Sequence, residues 1–317
     1  MTSELVEKAH GVLREVDRVV LGKQTETAEI LTSFLANGHV LLEDIPGVGK
    51  TTLATAFSKA MGLECKRVQF TPDVMPSDLT GFSVYRRDQE KFVYQEGSVF
   101  CNILLADEIN RTSPKTQSAL LEVMEERKVS VDGVTRDAPS PFLVIATQNP
   151  SGAAGTQLLP EAQIDRFMIT LTLGYPDYLS ELEIARTAGA GARTDNVTPV
   201  ITREEFLAMQ EQIHDIYIKD VVYDYIIKLV TATRNHSFIE RGASPRATIA
   251  LVKSSKAYAW LQGRDYVIPT DVITQLPYVL MHRISLSMAA RMNGSKRTDV
   301  INDLLRQTPQ PYLGGEK

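Results

Sequence analysis

The stretch Leu41-Leu42-Glu43-Asp44-Ile45-Pro46-Gly47-Val48-Gly49-Lys50-Thr51-Thr52-Leu53-Ala54 carries the reading of the fold. Its start belongs to a short apolar run after Gly38, Val40–Glu43, that reads as a strand. Its end opens a helical pattern, Leu53–Met61, and between the two lie Gly47, Gly49, Lys50 and Thr51. A strand, a glycine-bearing turn and a helix N-terminus make a phosphate cradle. Backbone N–H groups converge on phosphate oxygens, and the helix dipole favours the negative charge. Lys50 would then reach the β- and γ-phosphates, and the Thr51 hydroxyl would ligate Mg2+. A glycine-rich turn that merely feeds a helix is the plain alternative, but strand, Gly-Lys-Thr and helix all agree against it. The general pattern G-x-x-x-x-G-K-[ST] requires Gly at position 44, where this chain has Asp44. A carboxylate there costs phosphate affinity unless it points away or pairs with a cation, so Asp44→Gly is expected to tighten nucleotide binding.

Around this loop the first half alternates strand and helix. Further β-favouring runs are Cys65–Phe70, Asn102–Asp107, Phe142–Thr147 and Phe167–Leu173. Near-continuous apolar strands separated by helical segments predict a parallel sheet covered on both faces. Ser113-Pro114 caps and opens a helix between the third and fourth runs. Two hairpins interrupt the alternation: Asp132-Gly133 predicts a tight turn, and Phe82–Tyr94 alternates around the charged tip Arg86–Lys91. Beyond Pro176 the pattern becomes helical, with Val222, Ile226, Leu229, Val230 and Thr233 on one face. The expected organisation is an α/β nucleotide-binding core over residues 1–187, a linker over 188–199 and an all-α lid over 200–317.

At 317 residues, two domains are expected; 43% hydrophobic and 23% charged residues are ordinary for a globular chain. No apolar run approaches the ~20 residues of a membrane span, and no signal peptide is legible at the N-terminus. Two cysteines form no spaced framework, which suits a reducing cytosol and a cytoplasmic location. The net charge of −5 argues against a surface that coats nucleic acid.

The third strand run ends on Asp107-Glu108. Paired with the upstream Gly-Lys-Thr, Asp107 is placed to hold Mg2+ through a water and Glu108 to polarise the attacking water. Alone, two acids at a strand end are an ordinary solvated turn. Asn149, at the tip of the next strand, is placed to orient water or the γ-phosphate; before Pro150 it also reads as a turn former.

The strings LLEDIPGVGKTTLA, LLADEINRTSPKTQSALLEVMEE, VIATQNP, LLPEAQIDRF and GASPRA resemble, in order and spacing, the MoxR family of AAA+ ATPases. The resemblance implies ATP and Mg2+ as ligands. It places Pro46, Gly47, Val48, Gly49, Lys50, Thr51 and Thr52 in Walker A, Asp107 and Glu108 in Walker B, and Asn149 as sensor 1. Arg166 matches the arginine finger that completes a neighbour's site, and Arg246 matches sensor 2 of the lid. Leu21-Gly22 resembles the segment touching adenine, the Phe82–Tyr94 hairpin the insert in helix 2, and Lys128–Asp137 the hairpin before sensor 1. It further implies a homo-oligomeric ring, typically a hexamer, that remodels protein clients, often with von Willebrand A-domain partners. Apart from the resemblance, a lone arginine is commonly a surface or salt-bridge residue. Arg166 exits toward a neighbouring subunit, Arg246 in the first turn of a lid helix could swing over the γ-phosphate, and Arg111 is a weaker candidate. Two other functions compete. A DNA motor would line a channel with the hairpins, but their tips mix Arg86, Arg87 and Lys91 with Asp88 and Glu90. A nucleotide switch with negligible turnover rests on Asp44 alone.

Overall fold

The computed structural model describes residues 2–44, 47–148, 159–187 and 193–312. Two helices, α1 (Thr2–Asp17) and α2 (Gln24–Leu35), precede β1 (Val40–Glu43). Helix α3 (Lys50–Ala60) starts three residues before its apolar pattern does, at the lysine itself. Then come β2 (Cys65–Gln69), α4 (Pro76–Thr80), the hairpin β3 (Phe82–Arg86) and β4 (Lys91–Gln95), and β5 (Ile103–Asp107). Helix α5 (Pro114–Glu126), a second hairpin of β6 (Lys128–Val131) and β7 (Val134–Asp137), β8 (Leu143–Gln148), α6 (Glu161–Ile164) and β9 (Ile169–Leu171) complete this half.

The five runs read as strands are the five strands of one parallel sheet, in the order β2-β5-β8-β1-β9. Strand alternation sends Leu41, Leu104, Ala106, Val144 and Ala146 into one apolar cluster with α5. Val40, Leu42, Leu105, Ile145 and Leu171 enter the other, with α1, α2 and α3. Both faces are therefore covered, which is why β5 and β8 are buried along their whole length. β2, at the edge, stays partly exposed and carries Lys66, Arg67 and Gln69. Ser113 accepts from the Thr116 N–H and Pro114 opens α5, as its sequence predicts. Asp132 and Gly133 both take positive φ (53° and 74°), the tight hairpin geometry expected of that pair.

The second half holds α7 (Tyr178–Arg186), α8 (Arg203–His214), α9 (Asp220–Asn235), α10 (Pro245–Leu261), α11 (Pro269–Leu280), α12 (Met288–Met292) and α13 (Arg297–Gln307). It is not purely helical: β10 (Ile239–Arg241) and β11 (Ser285–Leu286) form a short antiparallel ribbon. Nor, among the described residues, does it have a separate core. One apolar cluster runs from Val6 through the sheet to Ile301, taking in Phe206, Leu229, Trp260 and Leu276. Within it the buried Glu29 of α2 accepts from Gln275 Nε2 of α11 at 2.8 Å. Of the expected linker, residues 188–192 lie outside the described residues, and Arg193–Asn196 forms a single helical turn.

Candidate functional site

The C-terminal ends of the strands open on a cleft of about 420 Å3 lined by Gly47, Gly49, Lys50, Thr51, Arg67, Gln69, Asp107 and Glu108. Gly47 and Gly49 take φ of 90° and 91°, and open space surrounds the place a Cβ would occupy. Glycine is needed there for conformation rather than for room. Gly49 is the N-cap of α3, so the helix's first N–H groups and its positive dipole end face the cleft. Lys50 is buried, and its Nζ lies 3.4 Å from the Asp44 carbonyl oxygen. Val48 packs against the core below, while Thr51 is exposed to the cleft and Thr52 is half-buried. Pro46 and Asn149 lie outside the described residues.

Both acids at the end of β5 are held. Asp107 Oδ1 accepts from Thr147 Oγ1 at 2.7 Å, and its Oδ2 accepts from Arg67 Nη2 at 2.7 Å. Glu108 Oε2 accepts from Gln69 Nε2 at 2.9 Å and from Arg111 Nη1 at 2.8 Å. The Glu108 N–H donates to the same Thr147 hydroxyl, at 2.8 Å. Glu108 sits in the left-handed region (φ 57°, ψ 47°), a conformation that costs a non-glycine residue on the order of 1–3 kcal/mol and recurs at functional sites. The Thr147, Gln69 and Arg111 bonds hold it there and aim the carboxylate across the cleft. Arg111 thus pairs locally with an acid, the simpler of its two readings. Sequence reading missed Arg67, Gln69 and Thr147. A signal existed for the first two: polar residues two apart at the C-terminal end of a strand share a face, and that end meets the ligand in open α/β sheets.

Asp44 does not face the phosphate loop. Its carboxylate is buried and accepts from the backbone N–H groups of Leu173 at 2.5 Å and Gly174 at 2.9 Å, just beyond β9. The carboxylate thus points away from the anion site, so its removal relieves no repulsion there. Asp44→Gly would instead strand two buried donors. Leu21 lines a separate cavity of about 260 Å3 with Val19 and Val197. Gly22 (φ 70°) lies so close to α7 that a Cβ would meet Ser180 Oγ at 2.5 Å and Asp177 Oδ2 at 2.9 Å.

The two arginines singled out from the sequence lie together, away from this cleft. Arg166 Nε donates to Glu125 Oε2 at 2.6 Å, and Arg246 donates to the other oxygen of the same carboxylate. They line a basin of about 370 Å3 with Arg127, Lys253, Arg283, Asp165 and residues Asn37–His39. Asn37–His39 immediately precede β1, so the basin opens at the N-terminal end of the sheet and the phosphate loop at its C-terminal end. The four residues of β1 alone separate the two by roughly 13 Å. Arg246 therefore does not stand over the phosphate loop of its own chain, the place first expected for it. The sequence hides the reason: Arg283, only 2% exposed, pins the lid helices to this end. It donates to Asp165 Oδ1 at 2.7 Å and to the carbonyls of Phe167 and Met168 at 2.6 and 2.9 Å. Ser244, the cap of α10, also donates to Asp165, at 2.7 Å. Around Glu125 the arginines dominate, and they hold its carboxyl below the usual range, the Arg166 hydrogen bond foremost. His39 forms the floor; burial depresses its imidazole to about 3, and the neutral ring bridges Val144 N–H and the Met124 carbonyl.

Among the described residues no group of three or more His, Cys, Asp or Glu could hold a metal alone. Thr51 and Asp107 in one cleft do fit Mg2+, which takes one or two protein oxygens and leaves the remainder of its octahedron to water and nucleotide phosphates. Among the described residues no helix is long and apolar enough to cross a membrane.

Residues 39–169 match the ATPase family associated with various cellular activities (AAA), and residues 231–304 match the AAA lid domain. The chain is 44% identical to the uncharacterised protein YeaC of Bacillus subtilis, over 94% of this chain and 93% of that protein. It is 41% identical to Chaperone MoxR1 of Mycobacterium tuberculosis, over 94% of this chain and 81% of the relative. A crystal structure from Cytophaga hutchinsonii, provisionally named an ATPase, superposes with a TM-score of 0.91 at 38% identity, covering 98% of this chain and 97% of that one. With the phosphate loop and paired acids at one end of an AAA sheet and a helical lid behind it, the chain belongs to the MoxR family of AAA+ ATPases and is an ATP hydrolase.

Proposed function

We propose that this ATPase is Mg2+-dependent and acts in the cytoplasm as a homo-oligomeric ring, a hexamer by family resemblance, that remodels protein clients. The observation that carries the reading is the separation of Lys50 from Arg166 and Arg246 by the height of the sheet. A protomer cannot bring its own arginines to its own phosphates, whereas a neighbour docked head-to-tail can.

In this reading the loop Gly47–Thr52 cradles the phosphates with its N–H groups, and Lys50 pairs with the outer two. Thr51 and Asp107 hold Mg2+, which when bound supplies charge neutralisation on the phosphate oxygens. Glu108, fixed in its strained turn, orients the attacking water and takes up its proton. Asn149, the residue that follows Gln148 in the sequence, assists that orientation. Arg166 of one subunit, with Arg246 beside it, stabilises the charge that develops at the γ-phosphate of the next. Leu21 and Gly22, between the N-terminal helices and α7, flank the base.

The client reading rests on the β3–β4 hairpin. Tyr85 and Phe92 pair edge to face at 5.4 Å, one residue behind the charged tip, and stay 50% and 72% exposed. A partner with apolar patches, such as a von Willebrand A-domain protein, would find its handle there. The same aromatics beside Arg86, Arg87 and Lys91 favour one competitor, a motor on single-stranded DNA, because bases stack on exposed rings. Deleting Arg86–Lys91 and assaying turnover with and without single- and double-stranded DNA decides between them. Client remodelling predicts little DNA stimulation at physiological salt and near-normal basal turnover after the deletion. Severalfold stimulation that falls steeply with salt and vanishes on deletion would install the motor. The low-turnover switch loses its basis with Asp44 turned away from the loop.

A further inference from the structure

Arg67 stands on the edge strand β2, outside every motif that identifies the site, yet it lines the cleft between the phosphate loop and the paired acids. Its Nη2 donates to Asp107 Oδ2 at 2.7 Å and to Gln69 Oε1 at 2.9 Å. The remaining Asp107 oxygen accepts from Thr147, a fully buried hydroxyl that also receives the Glu108 N–H. Both carboxylate oxygens are thus engaged, and the side chain is only 12% exposed. A divalent cation or its water shell that draws on Asp107 competes with these partners for the lone pairs of the carboxylate. Thr147 cannot yield, because the strained Glu108 backbone depends on it. Arg67 can: its side chain is 49% exposed on an edge strand, and a half-exposed ion pair is weak enough to open at little cost.

We propose that Arg67 sets the divalent-cation affinity of this ATPase by competing with Mg2+ for Asp107. The competition has two physical parts, occupation of an oxygen by a donor and repulsion between a fixed guanidinium and an incoming dication. Arg67 is a positioning residue in this account: it acts through Asp107 and needs no contact with the reacting phosphate. The inference rests on the reading that Asp107 holds the metal.

The test titrates Mg2+ into the full-length protein at saturating fluorescent ADP and reads the metal concentration at half-maximal signal. Arg67→Gln should lower that midpoint roughly fivefold, the factor one half-exposed ion pair is worth. Arg67→Lys, which keeps the charge, should stay within about twofold of the parent. Asp107→Asn, run in parallel, should raise the midpoint. Urea unfolding of each variant identifies any shift caused by lost stability. A midpoint in Arg67→Gln that is unchanged or higher, with Asp107→Asn raised, overturns the competition and leaves the metal site standing. A midpoint unmoved by Asp107→Asn removes the metal reading itself, and the competition with it.

Discussion

The two ends of the sheet have opposite electrostatic character. At the phosphate end the charged groups are matched within one protomer: Arg67 with Asp107, Arg111 with Glu108. The buried Lys50 has its Nζ near the Asp44 carbonyl rather than an acid. At the other end Arg127, Arg166, Arg246, Lys253 and Arg283 surround two carboxylates, Glu125 and Asp165. Arg283 is taken up by the Asp165 carboxylate and by four backbone carbonyls, so Arg166 and Arg246 share one acid between them. A matched site holds its groups still for chemistry. An unmatched basin leaves positive charge available to an anion from outside. This contrast supports the proposal that the catalytic unit is larger than the protomer.

Substitutions can act on one end alone, and the largest expected effect belongs to the phosphate end. Glu108→Gln should keep ATP bound and lower turnover by about 10²–10⁴, the usual worth of a positioned base. Parallel nucleotide binding and single-turnover assays check it; wild-type turnover would remove Glu108 from the role of water activator.

At the basin, Arg283→Met should lower the unfolding free energy by about 3–5 kcal/mol, because it leaves the Asp165 carboxylate and several carbonyls without their buried donor. Urea unfolding measures the loss. A loss under about 1 kcal/mol would mean the lid is held in place by the apolar cluster alone.

Asp44 links the top of β1 to β9, and Asp44→Gly should cost about 1–3 kcal/mol while weakening ATP binding rather than tightening it. Calorimetric titration with ATP settles the direction, and tighter binding would show that the carboxylate opposes the phosphates after all.

A further effect depends on pH and lies in the shared core. Burial raises the Glu29 carboxyl to about 7, with the Gln275 hydrogen bond opposing. The folded chain therefore holds a proton on Glu29 that the unfolded chain releases above its ordinary 4.5, so this group's contribution to stability falls as pH rises from about 4.5 to about 7. Glu29→Gln keeps a partner for Gln275 and should remove the fall, gaining about 3 kcal/mol over the parent above pH 7 and little near pH 4.5. Unfolding curves across that range test it; a difference that does not vary with pH would contradict the assignment.

What could be read from the sequence follows the range of the interactions. Gly47–Thr51 and Asp107-Glu108 are local motifs whose spacing implies their geometry, and both reached the cleft as expected. Strand alternation and turn residues such as Asp132-Gly133 act within a few positions, so the sheet and its hairpins were equally legible. The basin joins Glu125, Asp165, Arg166, Arg246 and Arg283, and no short pattern states that a residue at 283 will fasten the chain at 165. The same limit explains Asp44, judged by its neighbours in sequence when its partners lie at 173 and 174. It also explains the shared core, where Glu29 meets Gln275 across most of the chain.

The central claim, that one subunit's arginines serve the next subunit's nucleotide, is tested most directly by mixing two inactive variants. On this account Lys50→Ala should lose ATP binding but keep its basin, and Arg166→Ala should bind ATP but lack the finger, whose loss in trans would be worth on the order of 10³–10⁵ in rate. Turnover is measured after the two are mixed under conditions in which labelled subunits are seen to exchange. The account predicts recovery of activity that rises with total protein concentration, from interfaces pairing an intact phosphate loop with an intact Arg166. No recovery in mixtures that do exchange subunits would place Arg166 outside the neighbour's site and contradict the shared catalytic unit.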